Sequence, residues 1–287
     1  MPDCANPHPI TDSAASHARL RLGFVDDAGT TRLVERSHVG PLRVQKPLYP
    51  EGGAVCHAIV VHPPGGVVGG DRLDIEAEVG AGAHAFLTTP GASKWYKANG
   101  KQSRQRVRLT AGAGAAIEWL PQESIFFDQA DVALEHSVIL AAGASYIGCE
   151  ILCLGRRASG ESFQRGRIAQ INEIRRDGRL VWWEQGVLDG GAALARSPFG
   201  LDGHSVCATL LAVGRSLPPA ALDALRACGP GGDAAHGFGV TQMKGVLVAR
   251  YLGHDSEVAR RIMLDVWGRL RPHLLERAAQ VPRIWQT

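Results

Sequence analysis

Four carboxylates stand in stretches where a carboxylate is costly. Glu150 lies in YIGCEILCL, Glu184 follows two tryptophans in LVWWEQ, Glu123 sits in WLPQESIFF, and Asp71 closes the glycine-rich stretch HPPGGVVGGD (62–71). Burying an ionised carboxylate costs several kcal/mol unless it is paired or hydrated. Each group can face solvent or pair with one of the 31 lysines and arginines. Alternatively, the groups line a hydrated internal path, where single oxygen ligands pass a divalent cation from site to site without trapping it. A third arrangement makes Asp71, Glu150 and Glu184 the acid and base of a small-molecule enzyme, which needs an enclosed pocket.

The more specific chemical signatures are missing. Gly65 to Gly70 has the glycine spacing of a Walker A loop, but Asp71 and Arg72 follow where Lys and Ser or Thr are required. A carboxylate there repels phosphate. AGAGAA at 111–116 falls between two strands, which is not the setting of a dinucleotide fingerprint. Cys149 and Cys153 are four residues apart, about 13 Å on a strand, too far to share an ion. His57 and His62, five apart, face opposite ways on a strand. The sequence contains no HxH, HExxH, CxxC or GxSxG. Ser93 and Lys94 are neighbours on a turn and do not form a Ser–Lys pair. A closed high-affinity metal site and a static metal store are both disfavoured.

The elements that must position these groups are mostly strands. Stretch 18–24 alternates, with Leu20, Leu22 and Phe24 on one face and Arg19 and Arg21 on the other; 31–36 returns as a hairpin. Stretch 54–62 is apolar. In 71–79, Leu73, Ile75, Ala77 and Val79 point inward and Asp74, Glu76 and Glu78 outward. The tripeptide Ala-Gly-Ala recurs around Gly82, Gly112 and Gly143, each time between two strands. Strand, glycine turn, strand and excursion then repeat, which predicts a mainly β, solenoid-like stack. Two helices come late. One spans 218–229, with Pro at its start and Gly past its end. The other is capped by Ser256, buries Ala259, Ile262, Met263, Val266 and Leu270, and ends at Pro272. Between them, 229–239 reads as a glycine-rich loop and 242–251 as one strand.

Bulk properties set the remaining bounds. With 287 residues, 45% hydrophobic and 21% charged, the chain can bury a core without staples. A net charge of +3 makes no argument for nucleic acid. No apolar run reaches the length of a membrane span. The six cysteines are scattered, as in a reducing, cytoplasmic setting. Residues 1–17 lack the apolar core of a signal peptide and read as a flexible leader, leaving 18–287 as one domain.

HPPGGVVGGD, VGPLRVQKPLYPEG (39–52), TPGASKWYKANG (89–100), WLPQESIFFDQA (119–130), CLGR (153–156) and PRIWQT (282–287) occur in this order. Together they resemble the urease accessory protein UreD family, called UreH in some bacteria. The resemblance implies a non-enzymatic scaffold with a β body and two helices. It implies binding to UreF, recruitment of the GTPase UreG through UreF, docking on apo-urease, a two-fold accessory complex, and delivery of Ni²⁺ through an internal polar tunnel. No cofactor is held tightly; nickel is in transit. The family's tunnel positions correspond to Asp71, Ser93, Glu150 and Glu184. Pro63, Pro64, Gly65, Gly66, Gly69 and Gly70 then form a shaped turn. Trp285, in the apolar tail, is expected to fold back onto the body, because an exposed tryptophan is costly.

Overall fold

The computed structural model describes residues 15–229 and 237–286. The flexible leader expected for 1–17 falls almost entirely outside them, and the first strand, His17–Asp27, already begins within that span. The body is a β-solenoid. One seven-stranded sheet runs in the order Arg179–Asp189, Arg167–Arg176, Asp131–Leu140, Ser103–Ala111, Arg72–Val79, His17–Asp27, Thr30–Val39. Facing it, a second sheet runs Gly237–Met243, Val246–Gly253, Val206–Val213, Ser145–Leu154, Ala116–Trp119, His84–Thr88, Val55–Val61, Arg43–Val44. The central ladders of both sheets are parallel, because each coil passes from one sheet to the other and returns one rung higher. A short third side carries the bridged residues Val67, Trp95, Phe126 and Leu154. All four are buried between the sheets, and the Trp95 and Phe126 rings stack.

The repeat is real, but its second copy sits two residues later than expected. Gly82 and Gly143 adopt positive φ, whereas in the middle copy Gly114, not Gly112, does so. The register agrees: Val79 pairs with Ala111, and Ala111 with Leu140. In each turn the third residue takes the left-handed conformation and the fourth donates back to the first (Ala83 to Gly80, Ala115 to Gly112, Ala144 to Ala141). AGAGAA contains two overlapping Ala-Gly-Ala triplets, and only register separates them.

The helices lie on the outer face of the second sheet. Pro219–Arg226 and Ser256–Leu275 bury a separate apolar cluster with Ile147, Leu210, Ala249 and Tyr251. Asp255, rather than Ser256, caps the long helix, accepting from Glu257 N and Val258 N. Pro272 does not end it. The helix continues to Leu275, because Leu274 is buried and Leu275 packs on the same cluster. A one-turn helix, Ala193–Arg196, was not anticipated. The stretch read as one strand over 242–251 is a hairpin, Gly237–Met243 and Val246–Gly253, joined by Lys244 and Gly245, both at positive φ. The loop expected over 229–239 is therefore strand from Gly237 onward; 230–236 lie outside the described residues. Trp285 folds back. Its Nε1 donates to Thr88 Oγ1 at 2.9 Å and its ring packs on Phe86 and Trp267. Among the described residues no helix is long and apolar enough to cross a membrane.

Candidate functional site: two cavities meeting at Glu150

Strand alternation turns Tyr146, Gly148, Glu150 and Leu152 toward the space between the sheets, while Ile147, Cys149, Ile151 and Cys153 face the helices. Glu150 pairs in register with Thr209, Thr209 with Arg250, and Arg250 with Gly239, so one cross-strand row of the second sheet is polar. Opposite it, the row Gln105, Leu134, Gln170, Gly186 crosses the first sheet. Packing is incomplete where these rows face each other.

Two cavities result. The first, about 190 Å³, is lined by His62, Ser93, Gln105, Gln122 and Glu150, with exposed Lys94 at its rim. The second, about 330 Å³, is lined by Glu150, Gln170, Asn172, Glu184, Thr209 and Arg250. Glu150 belongs to both walls, and also to a small recess beside His136 and Tyr146. Its carboxylate accepts a hydrogen bond from Gln170 Nε2. Burial raises its pKa to about 7, helped by the nearby charge of Glu184 and opposed by the Gln170 bond. Glu150 is therefore poised between its two protonation states near neutrality. Glu184, on the edge strand of the first sheet, forms an ion pair with Arg250 of the second and ties the sheets together at this end.

His136 is held neutral, because burial pushes it down to about 4. The Tyr146 hydroxyl lies 2.9 Å from its Nε2. Gly148 makes this contact possible: a Cβ there would lie 1.8 Å from the Tyr146 hydroxyl oxygen. Gly148→Ala is thus expected to cost about 1–3 kcal/mol by displacing that ring. Gly186→Ala, where an added Cβ meets nothing within 4 Å, should be neutral or slightly stabilising. Urea midpoints of the two variants check the pair.

Three of the four expected path residues line these cavities: Ser93 the first, Glu184 the second, Glu150 both. Asp71 lines neither. Its carboxylate accepts from Ser16 N at 2.8 Å and Val68 N at 3.1 Å, which pins the 62–71 turn. In that turn Gly65 N donates to His62 O across Pro63 and Pro64, and Gly65 and Gly70 take positive φ. A Cβ on Gly66 would strike the Tyr96 ring at 2.3 Å, and one on Gly69 the Ala98 carbonyl oxygen at 1.8 Å. Glu123, also singled out in the sequence, pairs with Arg260 of the long helix.

A second polar constellation escaped the sequence reading. Glu118 is wholly buried and receives Trp267 Nε1 at 2.7 Å, His84 Nε2 at 2.8 Å and Arg271 Nε at 3.1 Å. Arg271 also grips Glu51, which in turn contacts His57. The signal existed: AAIEWL places Glu118 among apolar residues just as YIGCEILCL places Glu150. As for metal ligation, among the described residues no three His, Cys, Asp or Glu side chains group closely enough to hold an ion. Burial raises the thiols of Cys149 and Cys153 to about 12 and Cys207 to about 11, so they stay protonated.

The family model described as UreD urease accessory protein matches residues 16–286. The chain belongs to the UreD family. It is 60% identical over 286 residues to the urease accessory protein UreD of Janthinobacterium sp. (strain Marseille), covering 98% of this chain and 95% of the relative. It is 53% identical to the UreD of Nitrosospira multiformis, covering 94% and 97%, and 47% identical to that of Pseudomonas fluorescens (strain Pf0-1), covering 94% and 95%. Membership of the UreD family gives the chain a role in urease maturation. The relatives are named as accessory proteins, in line with a role other than catalysis.

Proposed function

We propose that the chain is the cytoplasmic scaffold through which Ni²⁺ reaches apo-urease. It binds UreF and the urease apoprotein, meets UreG through UreF within a two-fold accessory complex, and passes the ion through the two internal cavities. The observation that carries this reading is Glu150 on the walls of both. A conduit needs anionic oxygens close enough to hand an ion on, yet too sparse to trap it. Divalent nickel binds N and O donor sets tightly, so isolated ligands are the workable solution. Glu150 and Glu184 supply two such carboxylates, one neutralised by Arg250 and one near half-protonation. Asp71, held by two backbone amides, braces the turn whose residues His62, Gly65 and Gly66 line the first cavity.

The test is urease activation in cells co-expressing apo-urease, UreF, UreG and UreE, with and without this chain. Nickel content and activity of the purified urease should both depend on the chain, and the chain should co-purify with UreF. Urease activated equally well without it would overturn the reading and bring forward an acid–base enzyme built on Glu150 and Glu184.

A further inference from the structure

Among the described residues, four strands stand at the ends of the two sheets, and three of them are poor templates for another chain. Thr30–Val39 carries Arg32, Glu35 and Arg36, Arg43–Val44 is two residues long, and Gly237–Met243 is weakened by Gly237 and Gly239. The fourth, Arg179–Asp189, has no such protection. It is 11 residues long, and the one charge between its ends, Glu184, turns inward to Arg250. Arg167–Arg176 pairs with it along one side. Among the described residues no other main-chain group bonds to 179–188. Both faces of the strand are apolar. Outward, Trp183 is 50% exposed and Val187 38%. Inward, Trp182 and Leu188 pack on the core yet stay half-buried. A stack of coils keeps to itself when its last coil presents a polar face, and this one does not.

Main-chain amides and carbonyls along such an edge take up an extended strand, and the side chains select which one. Read about Gln185, this strand is complementary to itself run backwards. Residues directly opposite in an antiparallel pair share a face. With Gln185 against Gln185 of a second copy, Trp183 meets Val187 of that copy and Val187 meets its Trp183, two apolar pairs on the outer face. On the inner face Trp182 meets Leu188, and Glu184 meets Gly186, which leaves its ion pair with Arg250 undisturbed. Neighbouring registers are worse. Centring on Glu184 sets two like charges against each other, and centring on Trp183 sets Glu184 against Trp182 and Val187 against Arg179. A contact that answers itself about one residue is the signature of a two-fold, isologous interface. Leu194 and Phe199, both exposed in the segment that leaves this strand, add apolar surface close by in the chain.

We propose that two copies of this chain associate through Arg179–Asp189, paired antiparallel about Gln185, which joins their seven-stranded sheets edge to edge. The contact belongs to the chain by itself. It needs neither nickel nor a second kind of protein, and it stands apart from the conduit reading above.

Sedimentation velocity on the full-length chain tests it and should show a concentration-dependent monomer–dimer equilibrium. Val187→Lys places a charge twice in the contact and should weaken dimerisation about ten-fold. Its urea midpoint should stay unchanged, because the side chain points to solvent. Gln185→Cys tests the register. Residues directly opposite in an antiparallel pair lie about 4.5–5.5 Å apart between Cα atoms, within reach of a disulfide. Mild oxidation of Gln185→Cys should therefore give a cross-linked dimer that reduction reverses, with the wild-type chain as the control for native thiols. Trp183→Cys, out of register with its own copy, should give none. A chain that stays monomeric overturns the proposal, and so does a dimer that Gln185→Cys fails to link. So does a Gln185→Cys chain that links to added UreF and not to its own copy, which would make this edge a site for a different protein.

Discussion

Arg271→Met is expected to destabilise the protein by roughly 3–5 kcal/mol, the cost of breaking a buried ion pair from one side. Arg271 is fully buried, and its guanidinium reaches Glu51 at 2.6 and 2.9 Å and Glu118 at 3.1 and 3.2 Å, with a further bond to the Ala278 carbonyl. Glu118 belongs to the second sheet, Glu51 to the loop before Val55–Val61, and Arg271 to the long helix, so one side chain joins three parts of the fold. Methionine fills the volume but leaves two buried carboxylates without their cation. Lysine would not substitute, because a point charge cannot serve two carboxylates in a planar fork. Adding Glu118→Gln to Arg271→Met should recover part of the loss, since it removes one stranded charge.

The same cluster has a pH signature. Burial by itself would raise the Glu51 pKa, but the bonds from His57 and Arg271 outweigh it and hold it at about 2, against an ordinary 4.5. Glu118 is lowered in the same way by His84 and Arg271. A depressed folded-state pKa contributes stability that is complete above the unfolded value and is lost as pH falls through the folded one. Without the guanidinium, burial acts on these carboxyls less opposed, so the gap between wild type and Arg271→Met should be widest at neutral pH and above, and should narrow as pH falls toward about 2. Urea denaturation across that range measures it. A loss under about 1 kcal/mol at pH 7 would mean that the cluster is solvated rather than buried.

The parts of the fold that were legible in the sequence are those governed by local periodicity. Leu73, Ile75, Ala77 and Val79 alternate with charged residues, and all four are buried. The glycine turns announced the coil. What stayed hidden depends on contacts between residues far apart in the chain. Glu184 and Arg250 are 66 residues apart, and Glu118 and Arg271 are 153 apart; nothing local to either partner names the other. The sequence therefore marked Glu150, Glu184 and Glu123 as anomalies but could not say which were neutralised. Glu123 and Glu184 have guanidinium partners, and among the described residues Glu150 is held by an amide. Asp71 was ambiguous for a related reason. Its place after two glycines reads equally well as a ligand or as a turn brace, and its two backbone donors, Ser16 and Val68, come together only in the folded chain.

Glu150→Gln is expected to reduce urease activation by an order of magnitude or more while raising stability above neutral pH. The two effects have one cause. A carboxyl whose folded-state pKa is raised binds its proton more tightly in the native protein than in the unfolded chain, so ionising it costs folding free energy. With Glu150 at about 7 against an ordinary 4.5, that cost grows as pH rises from about 4.5 to 7 and levels off near 3 kcal/mol. Glutamine keeps the shape and the neighbourhood of Gln170 but never ionises. Glu150→Gln and wild type should therefore be equally stable below about pH 4.5, and the variant should be the more stable one at pH 8. A residue present only for packing would show no such trade, whereas one retained for its charge exacts stability for function. Glu184→Gln should behave differently: it breaks the tie to Arg250, so lost activation would come with unchanged or lower stability, and co-purification with UreF should survive in both variants. If Glu150→Gln activates urease normally, or if it no longer assembles with UreF, the carboxylate is not an ion ligand on the path, and the cavities on either side of it would be packing faults rather than a route.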